Sequence, residues 1–170
     1  AELPFGGGKA YLGKLHGVAG RLVSGWQLSG VVTSRSGFPL VLSATIPNGG
    51  NRPNSTGVSA ELSGDRSRND QVTRWFNTSA FTQPAAFTFG NVSRTLPDVR
   101  GPAFNNIDVS LLKNTRIREG LQVQFRAEYF NVLNHANFWQ PNSAFGSQQF
   151  GQLNTTTGLP RVGQLALKIL

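Results

Sequence analysis

Between Leu121 and Val132 the chain reads LQVQFRAEYFNV, and its side chains alternate in character at every step as far as Tyr129. Leu121, Val123, Phe125, Ala127 and Tyr129 form one series; Gln122, Gln124, Arg126 and Glu128 form the other. An extended strand sends alternate side chains to opposite faces, so this stretch builds a hydrocarbon face closed by a tyrosine and a polar face. A helix would bring Gln122 and Arg126 alongside Leu121 and Phe125 and separate the two classes poorly. Two environments accept such a strand. A soluble sheet turns the apolar face to a core and the polar face to water. A transmembrane β-barrel turns the apolar face to lipid and the polar face to a watery lumen.

Composition narrows the choice of element and of chemistry. Charged residues are only 14 % of the chain, and glycine is abundant with 20 copies, a balance suited to strands joined by turn-rich connections. Cysteine is absent, which excludes a disulfide framework, a thiolate metal site and a cysteine nucleophile. No apolar run approaches the ~20 residues of a membrane helix, which says nothing about barrel strands, whose individual signals are weak. The chain opens on AELPFGGGK, in the middle of a pattern and with neither an initiating methionine nor a signal peptide, so a fragment of a longer protein is expected. The formal charge of +8 invites a nucleic-acid partner, but the basic residues are scattered singly with no run and no basic helix face, and none is expected.

Three further stretches share the alternation. In 25–36, Trp26, Leu28 and Val32 oppose Gln27, Ser29, Thr33 and Arg35; in 105–116, Ile107, Val109 and Leu111 oppose Asp108, Ser110 and Leu112. In 161–170, Leu165, Leu167 and Ile169 oppose Gln164 and Lys168. Strands are therefore expected at about 25–36, 105–116, 121–132 and 161–170. Between them, residues 46–104 and 131–159 are rich in turn formers and lose periodicity. A structureless connection this long argues against a compact soluble domain, whereas outer-membrane barrels pair short periplasmic turns with long outer loops. On that pattern 37–104 and 134–160 face outside, the Arg118–Gly120 turn is periplasmic, and the C-terminus is periplasmic. The expected fold is all-β, an antiparallel up-and-down transmembrane β-barrel fragment of the last four to five strands with long extracellular loops. The alternative is a secreted or surface β-sandwich binding module or adhesin, with the apolar faces sharing a core.

The segments NRPNSTG, RWFNTSAFTQPAAFTFGN, RTLPDVRGPAFNNIDVSLLKNT, LQVQFRAEYFNVLNHANFWQPN and QLALKIL, in this order, resemble the C-terminal barrel portion of TonB-dependent outer-membrane receptors. The nearest group is the Oar-like one, which carries a carboxypeptidase-regulatory-like domain. The resemblance runs from about Glu2 to the last residue. It implies energy-coupled import of a scarce nutrient (oligosaccharide, peptide or metal chelate) across the outer membrane of a Gram-negative bacterium, through a plugged barrel of about 22 strands. The plug and the N-terminal domains are absent from these residues. Implied partners are outer-membrane lipid, the protein's own plug and remaining strands, the inner-membrane energy-coupling complex and the barrel-assembly machinery. Chains of this class end in an aromatic residue; this one stops at Leu170, and one further residue, Phe, is expected.

Site residues follow from parity. Asp108, Ser110, Gln122, Gln124, Arg126, Glu128, Gln164 and Lys168 are expected to face the lumen. Trp26, Leu28, Val32, Ile107, Val109, Leu111, Leu121, Val123, Phe125, Tyr129, Leu165, Leu167 and Ile169 are expected to face lipid. Trp75, Phe76, Phe81, Phe87 and Phe89 are candidates to stack on a ligand at the outer mouth, or else to pack the loop against itself. No enzymatic activity is expected. Gly6–Gly8 lacks the spacing of a phosphate loop, His16 and His135 are isolated and make no metal site, and Ser143, His135 and Asn134 lack any nucleophile motif. No cofactor is expected.

Overall fold

A computed structural model describes residues 1–170. In chain order the elements are α1 (Gly17–Val23), β1 (Trp26–Arg35), β2 (Asn54–Ser55), α2 (Arg68–Thr73), β3 (Phe81–Thr82), β4 (Phe104–Arg118), β5 (Leu121–Phe130), β6 (Asn137–Phe138), β7 (Thr156–Thr157) and β8 (Val162–Ile169). The four long strands occupy the stretches where the alternation predicts them. They form one sheet in the order β1-β4-β5-β8. Contacts divide the chain into two compact units: residues 1–33, 105–135 and 159–170, and residues 34–104 and 136–158.

The first unit is the sheet. β4 and β5 pair antiparallel through the tight Glu119-Gly120 connection, where Gly120 takes φ 72°, a left-handed value suited to glycine. The register places Leu111 opposite Ala127 and Ser110 opposite Glu128, and it shifts once at Ile117, between Arg116 and Arg118. β5 and β8 pair antiparallel with Phe125 opposite Leu167 and Glu128 opposite Gln164. Directly opposed residues share a face. The alternation of each strand therefore adds across the sheet into one apolar and one polar surface. At the outer edge of β1 the N-terminal residues begin another pairing, with the Leu3 amide donating to the Trp26 carbonyl at 3.0 Å.

This unit has no hydrophobic core. Every buried hydrophobic side chain of the protein belongs to the other unit, and the buried polar side chains of the sheet unit are Lys113 and Asn131. Leu165, Leu167 and Ile169 are each close to 70 % exposed. The β-sandwich alternative would bury this apolar series in a shared core, whereas along β8 it is exposed. Four strands do not close by themselves; the sheet is a sector of a wall.

The second unit consists of the long, turn-rich connections, and these pack on a core of their own. Leu40, Leu42, Phe76, Ala80, Phe81, Val92, Leu96 and Val99 form a buried cluster, with Trp75, Phe145 and Phe150 packed against it. Phe76 and Phe150 meet edge to face at 5.1 Å between centroids, and Phe145 and Phe150 at 5.4 Å, the arrangement aromatic quadrupoles favour. Two-residue ladders (β2 with β3, β6 with β7) and local caps satisfy the backbone around this core. The Ser67 hydroxyl accepts from the Asp70 amide at 3.1 Å, capping α2, and the Arg66 guanidinium donates to the carbonyls of Ser63 and Trp75 at 2.8 and 3.1 Å. Gly37 and Gly90 sit where backbone meets backbone. A Cβ on Gly37 would stand 1.7 Å from the Gly101 carbonyl oxygen, and one on Gly90 1.8 Å from that of Arg52.

Candidate functional site

The polar face of the sheet is a continuous ladder built by parity. Gln124 donates to the Asn114 side-chain oxygen at 3.0 Å, and the Arg126 guanidinium lies 3.7 Å from the Glu128 carboxylate. Gln164 donates to the other Glu128 oxygen at 2.9 Å, joining β8 to β5. Lys168 stands opposite Gln124. Arg126 and Glu128, two apart on β5, are thus paired with each other and with their neighbours rather than left free. An open concavity of about 360 Å³ runs along this face, bordered by Ser29, Val31, Asp108, Ser110, Arg126 and Glu128. Gln122 continues the face opposite Arg116. All the residues expected on the lumenal side therefore share one surface. Leu112 lies among them, opposite Arg126.

At one end of the ladder Asp108 orders the exit from β5. Its carboxylate accepts from the Asn106 side chain at 2.8 Å and from the Asn131 amide at 2.9 Å. Asn131 is buried, adopts φ 48°, and uses its side chain to close the 131–135 turn: it donates to the carbonyls of His135 and Leu159 and accepts from the His135 amide. The Asn134 side chain accepts from the Arg161 amide at 3.3 Å. These bonds fix the turn between β5 and the segment that leads to β8.

The opposite face carries the apolar series. Ile107, Val109, Leu111, Leu121, Val123, Phe125 and Tyr129 are half-buried to exposed, alongside Trp26, Leu28, Val32 and the three exposed side chains of β8. Tyr129 lies over Gly163, where an added Cβ would stand 2.9 Å from its ring. Alternation alone did not single out one member of this face, Lys113. The register sets it opposite Phe125, hence on the apolar side. Its ammonium donates to the carbonyls of Arg21 and Ser24 at 2.8 and 2.6 Å and stands 5.1 Å from the Trp26 ring centroid. Trp26 in turn meets Phe125 edge to face at 6.5 Å.

A sheet wall with one apolar face open, one self-paired polar face and no core between them suits a bilayer on one side and water on the other. A family model described as outer membrane beta barrel domain matches residues 1–164. The chain belongs to that family. No curated protein and no solved structure gives a match. In outer-membrane barrels generally, an apolar strand face meets lipid and a polar strand face meets the lumen.

The loop aromatics of this barrel domain divide. Phe76 and Phe81 are core residues of the second unit and are corrected from ligand-contacting candidates to packing residues. Phe87 and Phe89 are 75 % and 82 % exposed. Trp75 donates its indole N–H to the Arg100 carbonyl at 2.7 Å and borders an open groove of about 330 Å³ with Arg66, Gln71, Asp98 and Arg100. Of the five loop aromatics, Phe87 and Phe89 are exposed and Trp75 is half-buried.

Proposed function

We propose that this outer membrane beta barrel domain supplies wall strands and two outer segments of a TonB-dependent transporter, which imports a scarce nutrient by energy-coupled movement of a plug. The observation that carries the reading is an asymmetry of connections. Glu119 and Gly120 alone join β4 to β5, whereas residues 36–103 between β1 and β4 build a core of their own. Long outer segments are common to outer-membrane barrels; one folded on its own core gives a receptor a fixed surface on which to hold solute. The ordered motifs that resemble Oar-like receptors support the same reading, with oligosaccharide, peptide or metal chelate as the substrate class. The self-paired Arg126–Glu128–Gln164 ladder offers a plug a polar wall free of unsatisfied charge. Binding and passage are the role, without chemical conversion. The C-terminus lies in the periplasm, and folding into the membrane depends on the barrel-assembly machinery.

The test is nutrient uptake by cells carrying the full-length gene, with and without a working inner-membrane energy-coupling complex. Uptake that requires both supports the proposal. Solute flux that persists without energy coupling would make this a porin wall instead.

A further inference from the structure

The segment before β1 is more than a turn. We propose that residues 11–24, centred on α1, form an interfacial anchor that lies in the phospholipid leaflet beside the wall, its apolar side among the acyl chains and its cations on the headgroup phosphates. The proposal rests on membership of the outer membrane beta barrel family and not on the transport reading.

Three observations carry it. First, α1 is latched to the lipid face. The carbonyls at the end of a helix have no partner within it, and here three carbonyls at that end are taken by side chains of the apolar surface. The Trp26 indole donates to Leu22 at 3.0 Å, and the Lys113 ammonium donates to Arg21 and Ser24. Trp26 and Lys113 share a face with Phe125 and Leu167, so α1 continues the lipid-facing surface rather than the lumenal one. A lysine on that face is otherwise out of place; its bonds to the helix end give it a reason.

Second, α1 presents apolar side chains outward. Val18 and Leu22, four apart and therefore on one side of a helix, are 74 % and 63 % exposed, and Tyr11, which packs on Phe5, is exposed before them together with Leu12 and Leu15. Third, the charge is complementary to phosphate. Residues 6–25 contain Lys9, Lys14 and Arg21 and no acidic residue. Glu2 pairs with Lys9 at 2.5 Å, which leaves Lys14 and Arg21 exposed and without a carboxylate. Apolar residues on one side, cations beside them and a tryptophan at the boundary are the composition of helices that lie in a membrane interface.

The experiment uses the full-length outer-membrane protein containing this chain, reconstituted in vesicles of phosphatidylethanolamine and phosphatidylglycerol. A bimane fluorophore is attached singly at Val18→Cys, Leu22→Cys, Leu165→Cys or Glu119→Cys, and quenching by headgroup-borne and chain-borne nitroxide lipids is read on the folded, heat-modifiable fraction. Labels at 18 and 22 are expected to be quenched by lipid nitroxide at least about threefold more than the label at 119, with a shallower depth than the label at 165. Quenching at 18 and 22 no greater than at 119, with 165 still quenched, would overturn the anchor and leave the barrel wall intact. Loss of lipid quenching at 165 as well would overturn the face assignment on which the anchor depends. The paired change Lys14→Glu with Arg21→Glu, which spares the Arg21 carbonyl, is expected to lower quenching at 18 about twofold; no change would overturn the headgroup contact.

Discussion

The Asp108 carboxylate accepts a hydrogen bond from the Asn131 backbone amide at 2.9 Å, tying the polar face of β4 to the residue that follows β5. Asn131 is buried in a left-handed conformation, and its side chain makes three hydrogen bonds that close the turn to His135 and hold the chain at Leu159. Asn131→Ala removes those bonds and leaves two carbonyls and an amide unsatisfied, with a residue ill-suited to φ above zero. The expected loss is about 2–4 kcal/mol, read as the urea midpoint of the full-length barrel in vesicles. Asn131→Gly relieves the backbone strain and is expected to recover about 1 kcal/mol of that loss. Equal effects would mean that conformation contributes nothing at this site.

Face assignment has an energetic signature. Leu167→Arg places a cation on the apolar face opposite Phe125, and near the bilayer midplane that costs about 2–4 kcal/mol. Gln124→Arg, on the ladder face, is expected to change stability by less than about 0.5 kcal/mol. Matched equilibrium unfolding in phospholipid vesicles separates them, and a reversed order would exchange lipid for lumen.

The second unit depends on close backbone approach and on its aromatic core. Gly37→Ala would drive a Cβ into the Gly101 carbonyl, and Phe76→Ala would empty a fully buried site, at about 3–5 kcal/mol for the latter. Both changes are expected to expose new protease sites within 36–103 while the sheet remains heat-modifiable. Phe89→Ala, at an exposed position, is expected to leave the proteolysis pattern unchanged. A pattern altered by Phe89→Ala would show that the ring packs in solution.

Taken out of its complete barrel, the sheet has two edges and an uncovered apolar face. β8 pairs on one side with β5, and its other edge presents free backbone donors and acceptors. Produced alone in detergent-free buffer, residues 1–170 are expected to sediment as aggregates. A monodisperse species in sedimentation velocity would require the apolar faces to have found a core.

Much of the wall was legible from residue order. Strict alternation in LQVQFRAEYF and its three companions located the strands and sorted Arg126, Glu128 and Gln164 from Phe125, Leu165 and Leu167, because a period of two has a single geometric meaning in a strand. Tertiary structure decided the rest. Lys113 reads as one more polar residue until the β4–β5 register sets it opposite Phe125 and the end of α1 is found above it. Phe76 and Phe81 read as candidate ligand contacts until packing buries them with Phe150, because the second unit's core is gathered from short aperiodic segments that only meet in space. Periodicity is local and survives in a sequence. Burial of an irregular segment is a sum of long-range contacts, and no stretch of the chain carries it alone.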